Sequence, residues 1–177
     1  TTFQQKLDAS KFGEGIAVLN DQIYQLTWKN QQCFVYDTQT FQLKKELSYS
    51  GEGWGLCTDG KQLIMSDGTE RLTFRDPNTF QSLRTIEVYT DQGPLPQLNE
   101  LEYIDGLIYA NIYTTNFVAV IEPVLGRVIA LIDAGNLVTA GKGSGEVLNG
   151  IAHNPKTGKI YMTGKFWSKM FEVSIIK

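Results

Sequence analysis

Short runs of β-branched and aromatic residues recur along the whole chain, and glycine, asparagine or aspartate bounds each run. This pattern is typical of β-strands joined by tight turns. The predicted strands include residues 22–28, 33–36, 62–65, 107–109, 117–121 and 159–162. No long stretch shows the 3.6-residue period of an amphipathic helix. The pattern therefore predicts an all-β protein.

The stretch Leu98–Tyr113 is the clearest copy of a unit that occurs four times. The copies begin at Gly15, Gly55, Glu100 and Gly150, at intervals of 40, 45 and 50 residues. Each copy has an apolar strand, a turn and a second strand. A third strand ends in an acidic turn in three copies, and a fourth strand then follows. The acidic turns begin at Asp37, Asp76 and Glu122.

A repeat of four strands in every ~40–50 residues is typical of β-propeller blades. We therefore expect a single propeller domain over residues 1–177 with about four blades. The last copy ends after its third strand, and residues 1–7 are expected to supply the fourth, since closure removes unpaired sheet edges. A β-sandwich is the alternative, although it does not require so regular a repeat.

Two positions of the repeat are occupied by different residue types in the four copies, whereas a purely structural repeat would keep one type at each. The residues just before the inner strands are Glu14, Trp54, Asn99 and Asn149. The residues at the ends of the second strands are Trp28, Gly68, Tyr113 and Lys165. The two positions lie 14 residues apart in three copies and 16 in the fourth. Because inner strands surround the propeller axis, the residues before the inner strands (the first ring) and those at the ends of the second strands (the second ring) are expected to converge on one pocket.

Each of these residues also has an ordinary structural explanation. Glu14 lies between two glycines, which allow unusual backbone angles, and it could be a turn residue. Trp28 and Trp54 could be core residues. The asparagines could cap turns, and Lys165 could be a solvated charge at a strand end. The functional interpretation rests on the set.

Composition limits the other functions that the chain could have. A net charge of −3 argues against nucleic acid or an anionic membrane as the partner, and no apolar run reaches the ~20 residues of a membrane span. Cys33 and Cys57 are expected to be buried free thiols, with a disulfide as the alternative. His153 is the single histidine, so we expect no metal site and no cofactor.

Seven motifs, in order and at consistent spacing over nearly the whole chain, resemble the plant and bacterial glutaminyl cyclase (glutamine cyclotransferase) family. They are FGEGI (12–16), YQLTW (24–28), GWGL (53–56), SDGT (66–69), LNELE (98–102), LNGIA (148–152) and TGKFW (163–167). The resemblance implies a five-bladed propeller. It also implies conversion of N-terminal glutamine to pyroglutamate with release of ammonia, without a catalytic metal.

The resemblance also implies roles for individual residues. Glu14 would be the catalytic acid–base. The expected substrate-binding residues are Phe12, Gln25, Trp28, Trp54, Asn99, Tyr113, Asn149 and Lys165. Tyr113 departs from the family, which usually has tryptophan at this position. The upstream Phe-Thr-Gln-Gly motif of the family is also absent, so we expect the chain to lack the family's N-terminal blade segment.

Two other functions remain open at this point. One is a non-catalytic propeller that binds peptides or a protein partner through the same face. The other is a hydrolase or lactonase, which usually needs a metal. For the cyclotransferase we expect a monomer, a peptide or protein substrate with N-terminal glutamine, and a secreted or periplasmic location, or the secretory pathway in a plant. The start at Thr1 without methionine suggests processing or trimming.

Overall fold

A computed structural model describes residues 4 and 6–176, and these residues form consecutive antiparallel sheets. The first blade comprises β1 (Gly13–Leu19), β2 (Gln22–Thr27), β3 (Gln32–Asp37) and β4 (Leu43–Ser48). The second comprises β5 (Leu56–Thr58), β6 (Leu63–Ser66), β7 (Arg71–Arg75) and β8 (Ser82–Glu87). A two-stranded hairpin of β9 (Tyr89–Thr90) and β10 (Gly93–Pro94) follows.

The third blade comprises β11 (Leu98–Ile104), β12 (Leu107–Ile112), β13 (Phe117–Ile121) and β14 (Val128–Asp133). A short helix, α1 (Gly135–Gly141), leads to a fourth sheet of β15 (Leu148–Asn154), β16 (Lys159–Gly164) and β17 (Phe171–Val173). Strands pair in chain order within every blade. The all-β propeller with a four-blade arrangement is thus confirmed.

The core lies between successive blades. Inner strand β1 packs against β5, β5 against β11, and β11 against β15. Apolar side chains fill the three inter-blade spaces, represented by Leu26 and Leu63, by Phe74 and Leu101, and by Val118 and Ile151. Successive packing of four sheets excludes the two-sheet sandwich, which would place all inner faces in one layer.

Acidic turns close the third strands as the sequence predicts. Asp37 Oδ1 accepts the N–H groups of Gln39 at 3.0 Å and Thr40 at 2.9 Å. Asp76 makes the same pair of bonds to Asn78 and Thr79. Such local side-chain bonds replace strand pairing and allow the chain to reverse.

Both cysteines are buried free thiols, so the disulfide alternative is wrong. Cys33 belongs to the apolar cluster between the first two blades and Cys57 to the next cluster. Burial raises the pKa of the Cys33 thiol to about 12 and that of Cys57 well above its ordinary value. Both thiols are therefore held in the neutral form and serve as small apolar core residues.

The inner strands contain a recurrent β-bulge. Gly13 pairs with Thr27, but the next paired residue is Ile16, opposite Gln25, so three steps on β1 match two on β2. The same irregularity occurs in β11 and β15. Each bulged segment has two residues, and the first of them is Glu14, Asn99 or Asn149. Their predicted position before the strand is therefore wrong, because the ladder continues past the bulge.

The second ring position is also shifted slightly from the prediction. The side chains predicted to end the second strands follow them instead, directly after Thr27, Ile112 and Gly164 and two residues after Ser66. Backbone pairing continues beyond the strand ends, since the N–H groups of Trp28, Tyr113 and Lys165 donate to the carbonyls of Phe12, Gln97 and Val147. The shift leaves the spacing between the two rings unchanged.

Helix α1 lies outside the predicted pattern, and part of the predicted N-terminal strand lies outside the described residues. Helix α1 has glycine at both ends and no acidic residue in its first turn, so sequence signals for it are weak. Leu137 and Val138 pack its apolar side against the last inter-blade cluster. The predicted fourth strand from residues 1–7 depends on residues 1–3 and 5, which lie outside the described part. No helix in the described part is long and apolar enough to span a bilayer.

Candidate active site

Side chains from all four blades meet in a cavity of about 190 Å³ at one end of the inner strands. Its lining residues are Phe12, Glu14, Trp28, Trp54, Asn99, Tyr113 and Lys165. An adjoining cavity of about 540 Å³ shares five of these residues and adds Asn149 and Glu146. Bulges in β1, β11 and β15 hold Glu14 and Asn99, which line the small cavity, and Asn149, which lines the adjoining one; a bulge turns a side chain out of the regular alternation.

Glu14 lies where the first two blades approach each other closely. The N–H of Gly15 donates to the carbonyl of Trp54 at 2.8 Å. A Cβ atom on Gly15 would lie 2.6 Å from the backbone nitrogen of Leu56. Neither glycine beside Glu14 has a positive φ. Their predicted use for unusual backbone angles is therefore wrong, and Gly15 serves close approach.

The Glu14 carboxyl group lies in a partly desolvated environment. Desolvation is the main cause that raises its pKa above the ordinary value. The positive charge of Lys165 opposes this effect, whereas the negative charge of Glu52 adds to it. Such a shift moves a carboxyl group toward the pH range in which it can both accept and return a proton.

Two edge-to-face aromatic pairs form the walls. The ring centroids of Phe12 and Trp28 are 6.2 Å apart, and those of Trp54 and Tyr113 are 5.4 Å apart. Lys165 Nζ lies 5.7 Å from the Tyr113 ring centroid. Both pairs have the geometry that aromatic quadrupoles favour. The lining is therefore largely apolar, with the polar groups at defined points.

Gly68, the second-blade member of the second ring, makes room for Trp54. A Cβ atom there would lie 2.6 Å from the indole ring, and the backbone φ is +82°. Both the space and the angle favour glycine. The indole of Trp54 thus occupies the place that a side chain holds in the other blades.

Glu52, in the loop between β4 and β5, links the two tryptophan walls. Its Oε2 atom accepts the indole N–H of Trp28 at 2.7 Å and that of Trp54 at 3.0 Å. Sequence reasoning missed this residue. The signal was present, because Glu52 stands between Gly51 and Gly53 just as Glu14 stands between glycines.

The remaining predicted residues divide between the cavity and its surroundings. Asn99 lines the cavity, is 3% exposed, and has a buried side-chain oxygen with no partner in the part of the chain that the structure describes. Asn149 lines only the adjoining cavity, and its Oδ1 accepts the N–H of Glu100 at 3.3 Å. Gln25 lines neither cavity, and its Oε1 accepts the hydroxyl of Tyr36 at 3.3 Å.

The other acidic residues of β11 bind the backbone of the neighbouring blade. Glu100 Oε2 accepts the N–H of Ile151 at 2.8 Å, and Glu102 Oε1 accepts that of His153 at 2.9 Å. Desolvation raises the pKa of both carboxyl groups. These bonds attach β15 to β11. Within the described residues, no three acidic, histidine or cysteine side chains are grouped so as to hold a metal ion.

Fold and site together define a β-propeller whose pocket places one carboxyl group among aromatic rings. The glutamine cyclotransferase family profile matches residues 1–175. A glutaminyl-peptide cyclotransferase of Arabidopsis thaliana is 33% identical over 176 residues, which cover 97% of this chain and 55% of that protein. The chain belongs to the glutamine cyclotransferase family.

Solved structures agree with this assignment. The crystal structure of Myxococcus xanthus glutaminyl cyclase matches with a TM-score of 0.89 and 40% identity, over 94% of this chain and 75% of that one. The computationally designed Ika4 protein matches at 12% identity with a TM-score of 0.54, over 97% of this chain and 100% of that one. The second likeness concerns the fold alone. The chain spans about half the length of the plant relative.

Proposed function

We propose that this protein converts the N-terminal glutamine of a peptide or protein to pyroglutamate and releases ammonia, with Glu14 as general acid and base. The observation that carries this proposal is the partly desolvated Glu14 carboxyl group in a small aromatic cavity built by four blades. Family membership supplies the reaction class, and the named relatives are a glutaminyl-peptide cyclotransferase and a glutaminyl cyclase.

The reaction joins two groups of the same glutamine residue. The α-amine attacks the side-chain amide carbon, a C–N bond closes the five-membered ring, and the bond to the amide nitrogen then breaks. The amine must be neutral to attack, and a free α-amino group has a pKa of about 8. Glu14 accepts the proton that the attacking nitrogen loses and returns it to the departing nitrogen. Ammonia leaves with no net change in protonation of the enzyme.

The aromatic side chains that wall the cavity orient the substrate glutamine. Glutamine has a flexible side chain, and a ring closes only when it folds back on the amine. Confinement between the two aromatic pairs favours this folded form, and orientation of this kind contributes up to about 7–11 kcal/mol. The cavity of about 190 Å³ is of a size to hold one folded glutamine side chain rather than a long peptide.

The two polar groups are assigned complementary tasks. The Lys165 ammonium suits the amide oxygen as it gains negative charge in the tetrahedral intermediate. The buried oxygen of Asn99 has no partner among the described residues, and it suits an N–H of the substrate because an unpaired buried acceptor is costly. Tyr113 is a wall. Asn149 and Gln25 lie outside the small cavity. Asn149 is assigned to substrate contacts in the adjoining cavity, and Gln25 to support of β1.

Glu14→Gln is the direct test. We expect the variant to fold normally, since the change is nearly isosteric, and to lose about 10²–10⁴-fold in ammonia release from a glutaminyl tripeptide. Glu46→Gln, on the exposed strand β4, is the matched control. Full turnover by Glu14→Gln would contradict the assigned role. Tight peptide binding without ammonia release from the wild-type protein would instead favour a non-catalytic binding module.

For the biological setting we propose a monomer that acts on soluble peptides or proteins rather than nucleic acid or membranes. The net charge of −3 supports this choice of partner. The resemblance to an exported family supports a secreted or periplasmic location. Size-exclusion chromatography with light scattering tests the oligomeric state.

A further inference from the structure

We propose that Glu52 is a positioning residue that fixes the indoles of Trp28 and Trp54 as one wall and so determines how firmly the substrate is held. For its substrate, this inference rests on the proposed cyclotransferase function. The placement of the two rings can be tested without it. The two tryptophans belong to different blades, and Glu52 lies in the loop that connects those blades.

The geometry concentrates both contacts on one atom. Each indole has a single N–H donor and no acceptor. Both donate to Oε2 of Glu52, at 2.7 and 3.0 Å. Because the two indole rings share one acceptor atom, their N–H edges are held close to each other. Hydrogen bonds to an ionised group are also roughly twice as strong as those between neutral groups. The result is a common orientation for side chains that are 26 residues apart in the sequence.

The electrostatics of the loop agree with an ionised carboxylate. The bonds from Trp54 and Trp28, together with Lys29, lower the pKa of Glu52. Lys29 Nζ lies 3.8 Å from Oε1 of Glu52 and 4.1 Å from the Trp28 ring centroid. The ion pair is exposed on both sides, 61% and 39%, and such pairs contribute little. The hydrogen bonds from the two indoles are therefore the contacts that fix the position of Glu52 relative to the tryptophans.

Glu52 also influences Glu14 through space. Its negative charge is one of the causes that raise the pKa of Glu14. Removal of that charge therefore lowers the pKa of Glu14. Since Glu14 must be ionised to accept a proton, the acid limb of the kcat/KM profile is expected to move to lower pH. A purely structural role of Glu52 would not produce this shift.

Two substitutions separate these effects. Glu52→Gln keeps an oxygen that can accept both indole N–H groups but removes the charge. Glu52→Ala removes both. Glu46→Ala and Glu46→Gln on β4 are the controls. The chain has three tryptophans, so the indole region of a ¹H–¹⁵N NMR spectrum contains three signals. Trp167 is an internal reference, since its N–H donates to the carbonyl of Glu146.

We expect Glu52→Ala to shift the signals of Trp28 and Trp54 but not that of Trp167. We expect KM for glutaminyl-alanyl-alanine to rise about tenfold, which corresponds to 1.4 kcal/mol. Glu52→Gln is expected to keep KM within about threefold of wild type, a change below 1 kcal/mol, and to show the acid limb at lower pH.

The positioning role is overturned if Glu52→Ala leaves both indole signals in place, or if the signals move while KM stays at the level of Glu46→Ala. Absence of ammonia release from the wild-type protein would refute the proposed function instead. The same peptide is then titrated by NMR, and a dissociation constant unchanged by Glu52→Ala overturns the positioning role.

Discussion

Gly68→Ala tests whether space behind Trp54 controls the site. The added Cβ would lie 2.6 Å from the indole, so the ring must retreat by about 0.8 Å to reach 3.4 Å, the start of ordinary van der Waals contact. The bond from Trp54 to Glu52, 3.0 Å long, would then stretch beyond the normal range. We therefore expect loss of activity from a methyl group that touches no substrate.

Backbone strain must be separated from this displacement. Gly60 provides the matched control, because its φ is +87° and no atom of the described residues lies within 4 Å of an added Cβ, whereas Gly68 has φ +82° and a crowded Cβ position. Each alanine costs about 1–2 kcal/mol for the left-handed backbone conformation. Gly68→Ala adds an overpacking cost of about 1–3 kcal/mol. The difference between the two variants isolates the contact with Trp54.

The assay measures urea unfolding and ammonia release from glutaminyl-alanyl-alanine for both variants. We expect Gly60→Ala to keep wild-type kcat/KM and Gly68→Ala to lose about tenfold to a hundredfold, the cost of a misplacement near 1 Å. Equal activity of the two variants would refute the reasoning, because displacement of Trp54 would then not matter. Equal stability would show that the ring moves without cost.

Two further changes test the charges in and around the site. Lys165→Gln removes the positive charge that lowers the pKa of Glu14, so the acid limb of the kcat/KM profile should move to higher pH, opposite to Glu52→Gln. The exposed control Lys61→Gln should leave this limb in place. An unmoved limb in Lys165→Gln would contradict the effect of Lys165 on Glu14. Glu100→Gln should stabilise the fold at neutral pH, since burial raises the pKa of Glu100. Its folded-state pKa exceeds the unfolded value of about 4.3, so the wild type loses stability as pH rises through the folded-state pKa. The gain in urea midpoint should therefore vanish near pH 4, and a gain independent of pH would count against this explanation.

In Leu98–Ile104, the position of a residue rather than its type decides whether its side chain lines the cavity or binds the neighbouring blade. Glu100 and Glu102 are the most conspicuous carboxylates of the sequence, yet both bind backbone N–H groups of β15. Asn99, beside them, faces the small cavity. Asn99 and Glu100 are successive residues of the bulge between Leu98 and Leu101, which places neighbouring side chains in different surroundings.

The sequence by itself determined the repeat of strands and turns and most of the residues that share the small cavity. These follow from local properties: the two-residue period of strands, the turn residues and a constant spacing between two positions. Seven of the nine predicted site residues line that cavity. Six of them occupy equivalent positions in successive blades, which meet near one axis, and Phe12 was expected from the family resemblance alone.

Only the tertiary structure decided which groups contact one another across blades. The bond of Glu52 to two indoles, the space that Gly68 leaves for Trp54 and the exclusion of Gln25 from the cavity depend on the distance between neighbouring sheets. Helix α1 likewise depends on its packing against the last blade. Sequence periodicity has no information on these distances, because the close packing of side chains from separate blades fixes them only after the sheets have assembled.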